Sequence, residues 1–407
     1  MSRAGRVITT SAMAASPAAG PPLVLRAADR ASRYASIALA LALPGDTVLY
    51  LLLPLHAAVF GVTFPEVGLL LAANRFVRIL GYGRVVRFYD RFGPRAACLA
   101  AALGAVASTL GYALLSGFAA LCIARLLWGL SFAAFNIATQ ALATAAPEGM
   151  SRRSGRSRAI IATGPMLGLL GSAVLAELIG PRFVFLTLAA IAVLALLAAA
   201  RLPRGESAPL RISRRRLRLP SPLDLWAFVQ GLTLDGVFVI GLSVLAVRAT
   251  PGEATLAAGV SLALRYLAEL VLGPPGGALA ERCGARRLLI AVSLMSAACL
   301  AAISMGAIWP GVVIAVLLRG VLQPLPAPVL AAAISGAERV PAIAGMATWR
   351  DLGAGAGPPV AGFLLPLAPL ALYGGSAALL AAATLVLVVV NVAAWRRPDT
   401  VAHPASR

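Results

Sequence analysis

Ten ionisable side chains interrupt otherwise apolar stretches of this 407-residue chain: Asp46, Arg75, Arg78, Arg125, Asp235, Arg265, Glu269, Arg319, Arg350 and Asp351. On insertion scales one ionised group at a bilayer centre costs on the order of 2.5–3.5 kcal/mol, so such groups pair with one another or face a wet cavity. Two kinds of chemistry follow. Burial favours the neutral form of a carboxyl, which makes Asp46 and Asp235 candidate proton carriers, with Arg125 and Arg319 as the cations they could bind and release. An arginine fork matches a carboxylate or phosphate, which makes Arg75 and Arg265 candidate grips for a small-molecule ligand, beside Asp46 and Asp235. The ten groups carry an excess of two positive charges when ionised, which favours an anionic or zwitterionic ligand. The competing reading is a set of permanent salt bridges. Arg265 and Glu269, four apart on one helical face, are expected to pair within their own helix.

These residues require long apolar elements to hold them. The chain is 60% hydrophobic and 12% charged, with a mean hydropathy of +0.89, against about 25% charged residues in a typical soluble domain. Apolar runs reach the ~20 residues needed to cross a bilayer. Twelve are placed at 34–58, 66–88, 95–116, 118–144, 158–180, 181–201, 223–247, 255–280, 286–307, 309–334, 341–366 and 369–395. The expected fold is an all-α membrane protein. Residues 1–33 read as a disordered tail, 34–201 as a first six-helix bundle, 202–222 as a basic linker, 223–395 as a second bundle and 396–407 as a second tail.

Arginines set the orientation. Alternate loops carry Arg84, Arg87, Arg91 and Arg95, then Arg152, Arg153, Arg156 and Arg158, then the linker arginines, then Arg282, Arg286 and Arg287. The intervening loops hold little beyond Arg182 and Arg248. Both termini are therefore expected in the cytosol. At ~1.5 Å per residue, Asp46 and Asp235 lie about 18 Å beyond the cytosolic ends of their helices, and Arg75 and Arg265 about 14–15 Å below the outer ends. All four fall near the middle of a ~30 Å hydrocarbon core.

Other functional classes find no support. The net charge of +20 resides in short loops and no basic face is interleaved with aromatics, so nucleic acid is not the expected partner. Cys98, Cys122, Cys283 and Cys299 form no paired motif, and the two histidines, His56 and His403, stand alone, so neither a metal nor a cofactor is expected. There is no nucleotide-binding loop and no catalytic triad. Residues 1–33 also lack the apolar core of a signal peptide.

Five landmarks repeat at nearly constant spacing. Asp46 and Asp235 are 189 apart, Arg75 and Arg265 190, Asp90 and Glu281 191, Arg125 and Arg319 194, and Gly164-Pro165 and Gly357-Pro358 193. Two six-helix halves in tandem, with the ligand held between them near the midplane, describe a transporter architecture. The local motifs agree. Gly277-Ala-Leu-Ala-Glu281-Arg282-Cys-Gly284-Ala-Arg286-Arg287 resembles the G-x-L-a-D-r-x-G-r-r loop signature of the major facilitator superfamily, with Glu for Asp. The first-half copy keeps Asp90, Arg91, Gly93 and Arg95 but has Val86 where the family prefers Gly. Arg125-Leu-Leu-Trp-Gly129 resembles the family's fourth-helix signature. Gly164-Pro165-Met-Leu-Gly168 resembles the core of the signature found in proton-coupled drug antiporters, departing at Leu169.

The resemblance implies twelve helices in two pseudo-symmetric bundles and secondary active transport of a small molecule by alternating access. Its antiporter-like motif points to proton-coupled export. Uptake of an organic anion and a non-transporting scaffold or sensor are the alternatives. It further implies a monomer in a bacterial inner membrane, with the two charged loops acting as latches between the halves. Gly164, Pro165, Gly168, Gly357 and Pro358 are expected to pack or kink helices. Pro324, Pro326 and Pro328 predict a broken tenth helix.

Overall fold

A computed structural model describes residues 21–204, 220–249, 254–334 and 336–390. Every regular element among them is helical. In chain order the α-helices are α1 (Pro21–Ala42), α2 (Pro44–Leu55), α3 (Phe64–Leu114), α4 (Phe118–Ala143), α5 (Met150–Ile179), α6 (Pro181–Ala200) and α7 (Pro222–Gln230). They continue with α8 (Phe238–Ala249), α9 (Ala254–Cys283), α10 (Ala285–Ser304), α11 (Ile308–Leu322), α12 (Pro326–Ala333), α13 (Arg339–Leu364) and α14 (Pro369–Val389). Eight helical stretches are long and apolar enough to cross a membrane. The longest, Pro65–Leu114, has 50 residues, enough for two crossings.

The departures from regular helix fall where the sequence places its breakers. The first span divides into α1 and α2 at Leu43, before Pro44-Gly45. The second and third spans run on as α3, turning at Gly93, whose φ of 79° only glycine adopts without strain. The tenth span divides into α11 and α12 among Pro324, Pro326 and Pro328. In the seventh, residues Gly231–Val237 between α7 and α8 form a π-helix. Ser221 and Asp224 cap α7 reciprocally, the Ser221 hydroxyl accepting from the Asp224 amide (3.2 Å) and the Asp224 carboxylate from the Ser221 amide (3.0 Å).

One boundary corrects the sequence reading. Residues 21–33, expected in a disordered tail, form the start of α1. Buried Ala31 and Ala35 pack in the first-half core on that helix, so the apolar stripe begins before the hydropathy rises. The basic linker between 205 and 219 and the tail at 396–407 lie outside the described residues.

Small residues let the helices of each half close up. A Cβ on Gly164 would lie 2.8 Å from the carbonyl carbon of Ala40, and one on Gly357 2.9 Å from that of Gly236. The glycines thus serve equivalent contacts, α5 on α1 in the first half and α13 on the π segment in the second. Gly168 similarly abuts Pro44. The halves meet along two seams: α5 against α9, and α3 and α4 against α13.

Candidate functional site

The sequence carries isolated charges into the interior, and packing decides their partners. Arg125, fully buried on α4, donates to the Asp46 carboxylate on α2, which also accepts from the Asn74 amide at 3.3 Å. Arg125 keeps other acceptors: the carbonyls of Leu70 (3.0 Å) and Leu71 (3.4 Å) and the hydroxyl of Tyr50 (3.2 Å). Its guanidinium lies 5.2 Å from the centre of the Tyr50 ring. Protonating Asp46 would therefore leave Arg125 hydrogen-bonded, which removes much of the penalty for an orphaned buried cation.

The second-half counterpart is held more tightly. Asp235 in the π segment accepts from Arg319 on α11 (2.7 Å) and from Arg350 on α13 (2.7 Å), as well as from the amides of Gln230 (3.1 Å) and Gln323 (3.4 Å). Arg319 also donates to Glu269 at 2.5 Å. The expected Arg265–Glu269 pair is thus absent, and Glu269 joins the Arg319 cluster instead. An arginine preceding its acid by four residues is the weaker orientation of an i,i+4 pair, and Arg319 offers a second, less exposed fork.

Between these clusters the halves are tied directly. Arg78 on α3 donates to Asp351 on α13 at 2.9 Å, the Tyr82 hydroxyl donates to the same carboxylate at 2.8 Å, and Asn136 donates to Tyr82 at 3.4 Å. Phe132 covers the Arg78 guanidinium at 4.6 Å from its ring centre.

Arg75 and Arg265 lack the ion pairs that Arg78, Arg125, Arg319 and Arg350 make. Neither has an acidic partner among the described residues, and Arg75 Nη1 and Arg265 Nε are buried without any hydrogen-bond acceptor. Arg75 runs beside Gly355 of α13, and Arg265 lies against the ring of Tyr266 at 4.9 Å. Buried polar groups are normally satisfied, and one nitrogen of each of these two guanidinium groups is not.

The family model described as "Major Facilitator Superfamily" matches residues 35–250, more than half of the chain. The chain belongs to the Major Facilitator Superfamily. Its fold is that of the human organic anion transporter MFSD10 (TETRAN), whose crystal structure aligns over 88% of this chain and 99% of that one, with a TM-score of 0.71 at 18% identity. No curated protein matches by sequence. Membership makes this a multi-pass membrane protein of a family of transporters, not of enzymes.

Within that fold the two charged hairpins are unequal. Glu281 accepts from the backbone amides of Ser151 (2.8 Å) and Arg152 (3.3 Å), so it caps the N-terminus of α5 across the seam. Among the described residues it makes no ion pair with Arg282, Arg286 or Arg287. Arg286 instead donates to the Leu387 carbonyl (2.6 Å) at the end of α14. Gly284 turns the chain with a φ of 91°. Asp90 makes no hydrogen bond or ion pair among the described residues, and burial pushes its carboxyl up from the ordinary value. Arg91 stacks on Phe92 at 5.0 Å, and Arg95 is part-buried.

The charged sites are visible in sequence, whereas their uncharged partners Asn74, Tyr50, Tyr82, Asn136, Gln230 and Gln323 carry no charge to single them out. The available signal was an amide or phenol on an apolar helix, which needs a hydrogen-bond partner.

Proposed function

We propose that this chain is a proton-coupled exporter of small organic anions, working by alternating access from a bacterial inner membrane with both termini in the cytosol. The observation that carries the anion is the pair of arginines without an acidic partner, Arg75 and Arg265, one in each half, each with one buried guanidinium nitrogen that has no acceptor. The fold shared with an organic anion transporter supports the same class of substrate. Asp46 is the proton carrier, because its arginine keeps three oxygen acceptors when the carboxylate is neutralised. Asp235, clamped by Arg319 and Arg350, serves to hold the second half together. Export follows from the antiporter-like Gly164-Pro165 motif. The chain works as a monomer, with protons and substrate as its small-molecule partners.

Everted membrane vesicles test this with a panel of labelled aromatic and aliphatic carboxylates, with and without an imposed pH gradient. The expected result is accumulation that requires the gradient. Asp46→Asn should abolish accumulation yet keep exchange of substrate across the membrane, while Arg75→Gln and Arg265→Gln should raise KM about tenfold or more, the loss of a charge-assisted bond. Accumulation of the opposite sign would make the chain an uptake system. If no carboxylate moves in either direction, the transport reading fails and a scaffold or sensor remains.

A further inference from the structure

Arg158 reads in sequence as one more loop arginine. In the structure it lies in the third turn of α5, about 12 Å along the helix from Met150. It borders a cavity of about 10 Å³ between α4 and α5 of one half and the α11–α12 break of the other. Among the described residues Arg158 has no ion pair or hydrogen bond. The acids in its surroundings, Asp235 and Glu269, are already bound by Arg319 and Arg350, whose like charges add to the positive potential.

The rest of the lining is neutral, with Ala143, Pro324 and Ala327 beside polar side chains. Ser154 is 5% exposed, and its hydroxyl is buried with no partner. Gln140 is fixed by donating to both the backbone carbonyl (3.2 Å) and the side-chain oxygen (2.9 Å) of Asn136. Gln323 is fixed by accepting from Arg350 (2.7 Å) and donating to Asp235 (3.4 Å). The cavity therefore offers an unpaired arginine fork and an unpaired hydroxyl, with no acidic residue in its lining. That inventory suits a planar anion.

We propose that Arg158 and Ser154 form a second anion subsite, specific for a carboxylate, on the arginine-rich side of Arg75 and Arg265. It rests on the anion-transport reading and adds the place where the substrate's charged end is held as it enters from the cytosol. The cavity has room for about one water, so a carboxylate occupies it only when α5 parts from the second half. The seam that closes the protein also closes the subsite.

The test uses the full chain with its four cysteines changed to alanine and Ser154→Cys added, in inverted vesicles that expose the proposed cytosolic face. The introduced thiol is reacted with sulfonate-bearing and trimethylammonium-bearing methanethiosulfonates. With each rate taken relative to that with free cysteine, the sulfonate reagent is expected to react roughly tenfold faster, and benzoate, unlike benzamide, to protect. Arg158→Gln should equalise the two rates and remove protection, whereas Arg158→Lys should retain the charge preference. Equal rates with Arg158 present, equal protection by benzamide, or a thiol unreactive to both reagents in protein that elutes as the folded parent would overturn the subsite. Labelling is read without transport. Failed labelling with Arg75-dependent flux intact removes the subsite alone, and selective labelling without any flux removes the transport reading and leaves an anion pocket.

Discussion

The two seams between the halves are built on different chemistry. Along α5 and α9 the backbones meet: a Cβ on Gly277 would lie 3.2 Å from the Cα atoms of both Arg152 and Gly155, and one on Gly155 3.1 Å from the carbonyl carbon of Gly273. Along α3, α4 and α13 side chains meet instead. Val86 packs with Ile137, Ala344 and Ala347, the Arg78–Asp351 pair crosses between the halves, and Arg339 donates to the Thr144 carbonyl at 2.7 Å. Close glycine packing has a narrow distance tolerance and loses its contacts after a small displacement. A side-chain seam with a buried ion pair resists separation until the pair is hydrated. The first seam is suited to snapping shut, the second to acting as the strap about which the halves rock.

The largest disturbance is expected at the ionic seam. Asp351→Asn leaves Arg78 buried without its counter-ion and should lower stability by about 3–5 kcal/mol, read as a drop in the thermal unfolding midpoint of purified protein. Exchanging the pair as Arg78→Asp with Asp351→Arg should recover part of that loss. If the exchange is no better than the single change, the seam depends on Tyr82 and Phe132 more than on the charge pair.

Next comes the glycine seam. Gly277→Leu forces a side chain into the backbone of α5, an overpacking cost of about 1–3 kcal/mol borne only by the closed arrangement. Its signature should be faster labelling of a thiol introduced at Ala159, with the unfolding midpoint little changed. An equal fall in midpoint would show that the seam is needed for folding and not only for closure.

A smaller effect separates the two hairpins. Glu281→Gln removes a charge from the N-terminus of α5 and should cost the closed state about 0.3–1 kcal/mol, whereas Asp90→Asn, which breaks no hydrogen bond, should cost less. Comparable shifts in thiol labelling from both would erase the asymmetry. The smallest effect is the pH dependence of Asp90. Its carboxyl is raised by burial, so the folded state binds the proton more strongly than the unfolded chain. Its contribution should therefore weaken as pH rises through the region just above the ordinary carboxylate value. Asp90→Asn should flatten that slope in unfolding measured across weakly acid pH.

Much of this was readable beforehand for identifiable reasons. Apolar length, alternate arginine loops and the recurrence of Asp46 at Asp235 and Arg125 at Arg319 leave few arrangements open, and those landmarks occupy equivalent places in the two halves. Pro44 and the Pro324–Pro328 cluster mark helix breaks because proline withholds a backbone donor. The pairing of charges was less readable. Glu269 stands four residues from Arg265 yet binds Arg319, a choice made by packing between helices. Arg158 counted as a loop residue because its cluster of arginines suggested a surface, and only the depth of α5 shows that it faces inward. The early start of α1 was masked by Arg26, Arg30 and Arg33, which depress hydropathy without disturbing the helical stripe.

The π segment that carries Asp235 holds one residue more than an α-helix of the same rise. Passing that surplus residue along to either end would turn the far part of the helix by about 100° about its axis. The ladder of backbone hydrogen bonds can accommodate either register, so Arg319 and Arg350 fix which way Asp235 points. The seventh span thus carries its acid on a segment whose register is held by two arginines, whereas the first span is divided outright at Leu43.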